Sequence, residues 1–253
     1  MSSDPSVNII CIKWGTRYPS RYVNILHASV RRHLHRPFRF YCCTEDPSGL
    51  DDGIETIPFP ANPGIKRGWP DVLVKLMITR NGFGGLQGPT LFLDLDVAIM
   101  DDIDCFFDYL PGKYCIIHNW VKARKELLGK RPPVGNSSVF RFDAGSSGEI
   151  HETFLREIHR AEDRSIFNTE QAFLTYAMKE AHWWPESWTR SYKRHCRPVF
   201  PFNLISTPKQ PPACKILVFH GRPDPDEAIR GFHGSKIHHH MRPSSWIAEH
   251  WKL

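Results

Sequence analysis

Short apolar runs alternate with helically spaced ones along this chain. Residues 7–12 and 38–43 are runs of strand length. Between them Val23, Leu26, Val30 and Leu34 recur at intervals of three and four, which predicts a helix over 22–34. Strand, helix and strand at this spacing form a βαβ unit, the opening of a nucleotide-binding α/β fold. Residues 54–59 predict a third short strand. A helix follows over 71–80, with Val72, Leu73, Leu76 and Met77 inward and Lys75 among them. The glycine cluster at 82–88 ends it. That cluster begins Gly-x-Gly, but it follows a helix, precedes a strand and lacks the third glycine of a dinucleotide fingerprint, so it is a turn.

The next apolar run, LFLDLDVAIM over 91–100, is the stretch around which the chain is organised. Read as one strand, its alternation puts Asp94 and Asp96 on the same side of the backbone. Two carboxylates there repel each other unless something cationic sits between them. A divalent metal, a role as catalytic acids, or pairing with Lys or Arg would each answer this. The same spacing recurs at Asp102/Asp104 and Asp224/Asp226, outside any apolar run; a helix N-terminal turn and a solvated loop account for these. Beyond Met100 the pattern predicts a short helix over 104–110, a strand over 114–118, a basic mobile loop over 121–135 and a strand over 136–142. Helices over 150–161 and 169–180 come next, then a last strand over 216–219 that delivers His220. Residues 222–253, rich in His and Pro with Trp246 and Trp251, read as a wrapping tail, and His238, His239 and His240 as part of a solvated loop.

Composition narrows the function classes. At 253 residues the chain is one domain of ordinary globular composition, and its net charge of +6 suits an anionic ligand such as a nucleotide, a phosphate or a membrane surface. No basic block is interleaved with aromatics, which argues against a nucleic-acid reader. The seven cysteines are odd in number, form no CxxC pair and follow a polar N-terminus, so reduced thiols and a cytoplasmic location are expected. No apolar run reaches the ~20 residues of a membrane span. Trp246, Trp251 and Lys252 offer only peripheral membrane contact or, as the simpler reading, a cover for the core.

In open α/β sheets ligands bind at the carboxyl ends of the strands, where the loop at 13–18, Asp94, Asp96 and His220 all fall. Two carboxylates and an imidazole form an oxygen and nitrogen donor set that suits Mn²⁺, with Mg²⁺ also acceptable. Lys13, Arg17 and Lys75 could add charge-assisted bonds to phosphates.

Several motifs in order, over roughly 7–227, resemble the glycosyltransferases of family eight, which include glycogenin and bacterial lipopolysaccharide galactosyltransferases. The first strand and its loop to Tyr18 resemble the uridine-binding loop, and Val74-Lys75-Leu76 the helix whose lysine faces the donor. LFLDLDVAI resembles the metal-binding strand, and Asn136-Ser137-Ser138-Val139-Phe140 the segment near donor sugar and acceptor. Thr169-Glu170-Gln171-Ala172-Phe173 resembles the helix start that holds sugar hydroxyls. Phe219-His220-Gly221-Arg222-Pro223 resembles the segment that supplies a third metal ligand.

The resemblance implies a GT-A-type, Rossmann-like domain with a mixed central sheet over 1–227, its nucleotide-binding half about 1–100 and its acceptor half about 101–227, with a tail over 228–253. It implies transfer of a hexose from a UDP-sugar to a hydroxyl acceptor (glycan, lipid-linked sugar or protein) with retention. Asp94, Asp96 and His220 would hold the metal. Tyr18, Lys13, Arg17, Lys75, Asp94 and Arg222 would contact the nucleotide, and Asn136, Glu170 and Gln171 the sugar. Three positions depart from the family pattern: Ser138 replaces a glycine, Glu170 an aspartate and Asp224 a lysine. Asp224 reverses a charge beside the diphosphate, where Arg222 could substitute. A catalytically weak nucleotide-sugar-binding protein of the same fold is the alternative. A haloacid-dehalogenase-type phosphatase is a more remote one, because Ala98 stands where that motif needs Thr.

Overall fold

A computed structural model describes residues 6–66, 68, 73–120 and 132–253. Its centre is a seven-stranded mixed sheet in the order β3-β2-β1-β4-β7-β6-β8. These strands are β1 (Val7–Lys13), β2 (Phe38–Thr44), β3 (Ile54–Pro58), β4 (Gly88–Leu93), β6 (Cys115–His118), β7 (Gly135–Ala144) and β8 (His182–Trp183). β3, β2, β1 and β4 run parallel, whereas β7 is antiparallel to both β4 and β6. A three-stranded sheet, β5-β10-β9, joins β5 (Val97–Ile99), β10 (Ile216–Val218) and β9 (Thr189–Ser191).

The inner strands are apolar at consecutive positions because both faces of the sheet are covered. Val7, Ile9 and Cys11 of β1, Phe40 and Cys42 of β2, and Leu91 and Leu93 of β4 enter one core. That core is closed by helix α1 (Ser20–His33), the small sheet and the C-terminal residues. Ile10, Tyr41, Cys43 and Phe92, one position out of phase, enter the opposite core. There they meet α2 (Val74–Met77), α4 (Gly148–Arg156) and α6 (Glu170–Ala177). Between these lie the short helices α3 (Cys105–Asp108) and α5 (Ile158–Glu162); α7 (Pro225–Arg230) and α8 (Ile247–His250) close the chain.

The expected elements recur with shifted ends, and three readings change. Residues 91–100 are not one strand: β4 ends at Leu93 and β5 pairs antiparallel with β10 in the other sheet. The intervening turn is clamped at both ends, by Asp94 N–H donating to Ser138 O (2.9 Å) and Phe219 N–H donating to Asp96 O (2.9 Å). The helix expected over 150–161 is two, α4 and α5, broken at Glu157. Asp224 and Asp226 are not in a solvated loop; they start α7, where Asp224 and Glu227 form a capping box and Asp224 is buried. Of the loop expected over 121–135, residues 121–131 lie outside the described residues, as do Asp71 and Val72 of the helix expected over 71–80.

Asp104 does stand just before a short helix, its carboxylate held by Arg36 (2.7 Å) and His35 (2.9 Å). In the C-terminal segment Trp251 is buried, with its ring 4.9 Å from Tyr22, and Trp246 donates to Pro208 O (2.8 Å). No helix among the described residues is long and apolar enough to cross a membrane.

Candidate active site

A cavity of about 630 Å³ opens over the carboxyl ends of β1 and β4. It gathers residues from six separated stretches: the end of β1 and the loop after it, α2, the β4–β5 turn, the start of β7, the start of α6, and the residues after β10. Among the expected site residues Arg17, Tyr18, Lys75, Asp94, Asp96, Asn136, Glu170, Gln171 and His220 all line it. Lys13 and Arg222 are not among the lining residues. The Lys13 ammonium is buried and donates to Asp46 O (3.1 Å), bracing the loop that follows β2. Arg222 is ion-paired with Glu227.

The β4–β5 turn presents both acids because the sheets diverge there. The Lys75 ammonium meets Asp94 at 2.7 Å and donates to Ser137 Oγ at 3.2 Å, while Ser137 Oγ donates to Glu170 Oε2 at 3.1 Å. A relay of charge-assisted bonds therefore runs from Asp94 through Lys75 and Ser137 to Glu170. Burial opposes the charge on Lys75, yet Asp94, Glu170 and Asp96 outweigh it and hold the ammonium above its usual range. The Lys75 stem lies under the cavity with its nitrogen 5.0 Å from the centre of the Phe92 ring.

Asp96 is in the opposite situation. Burial first, then the neighbouring Asp94, raises its carboxyl to about 7. Tyr18 Oη lies 3.2 Å from Asp96 Oδ2 and 3.4 Å from Asp224 Oδ1, and Arg17 reaches the same Asp224 oxygen at 3.3 Å. Burial and these two carboxylates keep the Tyr18 phenol protonated well above its ordinary range. Asp224 thus faces the cavity's acidic corner, with Arg17 as its counter-ion.

On the opposite rim His220 Nε2 lies 2.6 Å from Ser191 Oγ, and the His220 ring stacks on Trp120 with centroids 6.0 Å apart. Burial, followed by the charges of Lys193 and Arg194, lowers its pKa to about 4, so the imidazole is neutral at pH 7. Lys193, on the π turn Tyr192–Cys196, donates to His220 O at 2.6 Å. Gly221 follows at φ +70, with Lys193 Nζ 3.1 Å from where a Cβ would stand, so a side chain at 221 would crowd that ammonium.

The donor chemistry fits a hard divalent cation. Asp96 is buried against Asp94 and Asp224 with its charge under-compensated, and the His220 imidazole on the same cavity is in its ligating, neutral form. The donor atoms are not drawn together: among the described residues the group of three within 4.8 Å is His35, Asp102 and Asp104, on the exposed side of the molecule. Asp94 is engaged by Lys75 and His220 by Ser191.

Sequence reasoning missed several lining residues. Trp14, Thr16 and Ser137 sit inside motifs it had singled out, so proximity to Tyr18 and Asn136 was the available signal. Lys193, which is not a lining residue but meets His220 O, carried none, since β9 and its π turn come from a stretch with no resemblance to a motif.

No family model matches the chain and no curated protein sequence matches it. Solved structures do. A galactosyltransferase, LgtC, in complex with donor and acceptor sugar analogues matches with a TM-score of 0.61 at 13% identity, over 86% of this chain and 88% of that one. The glycosyltransferase GlyE of Streptococcus pneumoniae matches at 0.55 and 14%, over 86% of this chain and 56% of GlyE. The bifunctional glycosyltransferase WbbM matches at 0.56 and 12%, over 89% and 47%. At such identities the likeness is one of fold: this chain has the mixed α/β, GT-A-type architecture of those enzymes.

Proposed function

We propose that this protein is a metal-dependent glycosyltransferase that moves a hexose from a UDP-sugar to a hydroxyl of a glycan, a lipid-linked sugar or a protein, with retention. One observation carries the reading. Asp94, Asp96, Lys75, Asn136, Glu170, Gln171 and His220, far apart in sequence, line a single cavity in a fold shared with glycosyltransferases. An unpaired, mostly buried cysteine set supports a reducing, cytoplasmic setting.

In this reading Asp94, Asp96 and His220 hold Mn²⁺, or Mg²⁺, which when bound supplies Lewis-acid stabilisation of the departing UDP. The chain's own groups do the rest. Trp14 and Tyr18 offer ring faces for the uracil at the mouth of the loop after β1. Arg17 and Lys75 on the cavity wall, with Lys193 beside His220, bring positive charge to the diphosphate. Asn136, Glu170 and Gln171 orient the sugar through hydrogen bonds; Glu170 is already turned inward by Ser137. Asn119 reaches Gln171 Oε1 at 3.4 Å and so steers its amide.

The test is a calorimetric titration of UDP into the protein with Mn²⁺ and then with EDTA. Metal-dependent binding that disappears in Asp96→Asn is the expected result. No UDP binding in either buffer would overturn the reading. One observation favours the weaker alternative, a nucleotide-sugar-binding protein: Asp224 sets a further carboxylate, itself buried, beside Asp96 and Asp94. UDP binding without turnover of any UDP-sugar would decide for it.

A further inference from the structure

The π turn that carries Lys193 is followed in the chain by an exposed apolar stretch. The turn Phe202–Leu204 and its flanks leave Val199 76%, Phe200 54%, Phe202 56% and Ile205 76% exposed. The turn Ile237–His239 adds Ile237 at 54%. The two turns are locked together by Asn203, fully buried, whose amide donates to Ile237 O (3.2 Å) and His240 O (2.8 Å). The protruding apolar side chains are therefore held on a rigid base and are not a collapsed loop.

The two stretches that build this face carry charge of one sign only. No acidic residue occurs between Glu186 and Asp224, or between Glu227 and Glu249. Arg194 and Arg197 precede the apolar turn, Lys209 follows it and is tied back to Cys196 O (3.3 Å), and Lys236 starts the second turn. Aliphatic and aromatic side chains protruding from convex turns, rimmed by cations without acids, match one surface chemically: a bilayer of anionic lipids, whose headgroup region takes apolar tips while its phosphates take the cations. A nucleic acid would use the cations but gains little from Val199, Ile205 and Ile237, which offer no ring for a base to stack on.

We infer that this face docks the protein onto an anionic lipid bilayer, with Phe200, Phe202 and Ile205 entering the headgroup layer and Arg197, Lys209 and Lys236 contacting lipid phosphates. The hydrogen bond from Lys193 to His220 O (2.6 Å) ties the π turn that leads into this face to the end of β10. The inference is independent of the reaction: it holds or fails whether or not UDP binds.

Vesicle flotation of the whole chain tests it, using phosphatidylcholine alone and phosphatidylcholine mixed with phosphatidylglycerol. The expected result is binding only to the mixed vesicles, reduced about ten-fold or more by Phe200→Ser with Phe202→Ser, and likewise by Arg197→Glu with Lys209→Glu. Thermal melts should show both double variants folded, since Phe200, Phe202 and Lys209 are exposed and Arg197 is only half-buried. Absence of vesicle binding, or binding untouched by the phenylalanine pair, overturns the inference. So does a dimer in sedimentation that the phenylalanine pair dissolves, because a second copy then covers the face.

Discussion

Arg141 shows how much a single buried side chain can organise. It is 1% exposed on β7, and its guanidinium donates to the carbonyls of Phe106 (2.5 Å), Phe107 (3.3 Å) and Lys113 (3.1 Å), and also to that of Leu110. It thereby ties α3 and the following turn to the strand that carries Asn136. Arg141→Met removes these bonds and strands the carbonyls, so a loss of about 2–4 kcal/mol in denaturant unfolding is expected. At the cavity Lys75→Met should weaken metal-dependent UDP binding at least about ten-fold by calorimetry, since one charge-assisted contact is worth roughly 1.5–3 kcal/mol. Unchanged UDP affinity in that variant would mean that Lys75 serves only Asp94.

Among the elements, the β4–β5 turn is the one whose behaviour could not be read off a local pattern. Asp96 is buried beside Asp94, and its raised carboxyl marks it as a group the fold accommodates at a cost above its unfolded pKa. Asp96→Asn should therefore abolish metal-dependent UDP binding while leaving the melting temperature in EDTA at pH 8 equal to or above that of the parent. A lower melting temperature would show the acid to be structural. Helical periodicity placed α1 and α6 well. It ran α4 and α5 together because hydrophobic spacing continues across Glu157, although the backbone there leaves the helical region.

For the whole molecule, histidine protonation sets acid stability. Burial lowers the pKa of His27 and His151, so folding disfavours their charged form. Their contribution is present above the unfolded value of about 6.5 and is lost as pH falls through the folded values, because the unfolded chain then binds more protons. Melting temperature should fall from pH 7 to pH 5, and His151→Leu should make the fall shallower; Asp96 acts with the opposite sign. The C-terminal segment closes the β1 side of the core through Trp251. Trp251→Ala should cost about 3–5 kcal/mol in chemical denaturation, as a cavity left among Tyr22 and its neighbours.

What the chain's residues determined by themselves was local: two-sided apolar runs must be buried strands, spaced apolar residues must be helices, and Asp94, Asp96, Asn136, Glu170 and His220 carried enough pattern to be singled out. Their meeting in one cavity, which the order of motifs implied, is made by long-range strand pairing. Tertiary structure alone decided the rest. It turned 91–100 from one strand into a hinge between two sheets, because β5 finds its partner in β10 more than a hundred residues on. It drew Asp224 into the acidic corner and paired Arg222 with Glu227 outside it, since only folding brings the loop after β1 against the start of α7. It also set Lys193 beside His220 and left Phe200 and Phe202 facing outward. Local sequence specifies backbone conformation and which side chains prefer burial, whereas the partner of a charge is chosen by contacts across the fold.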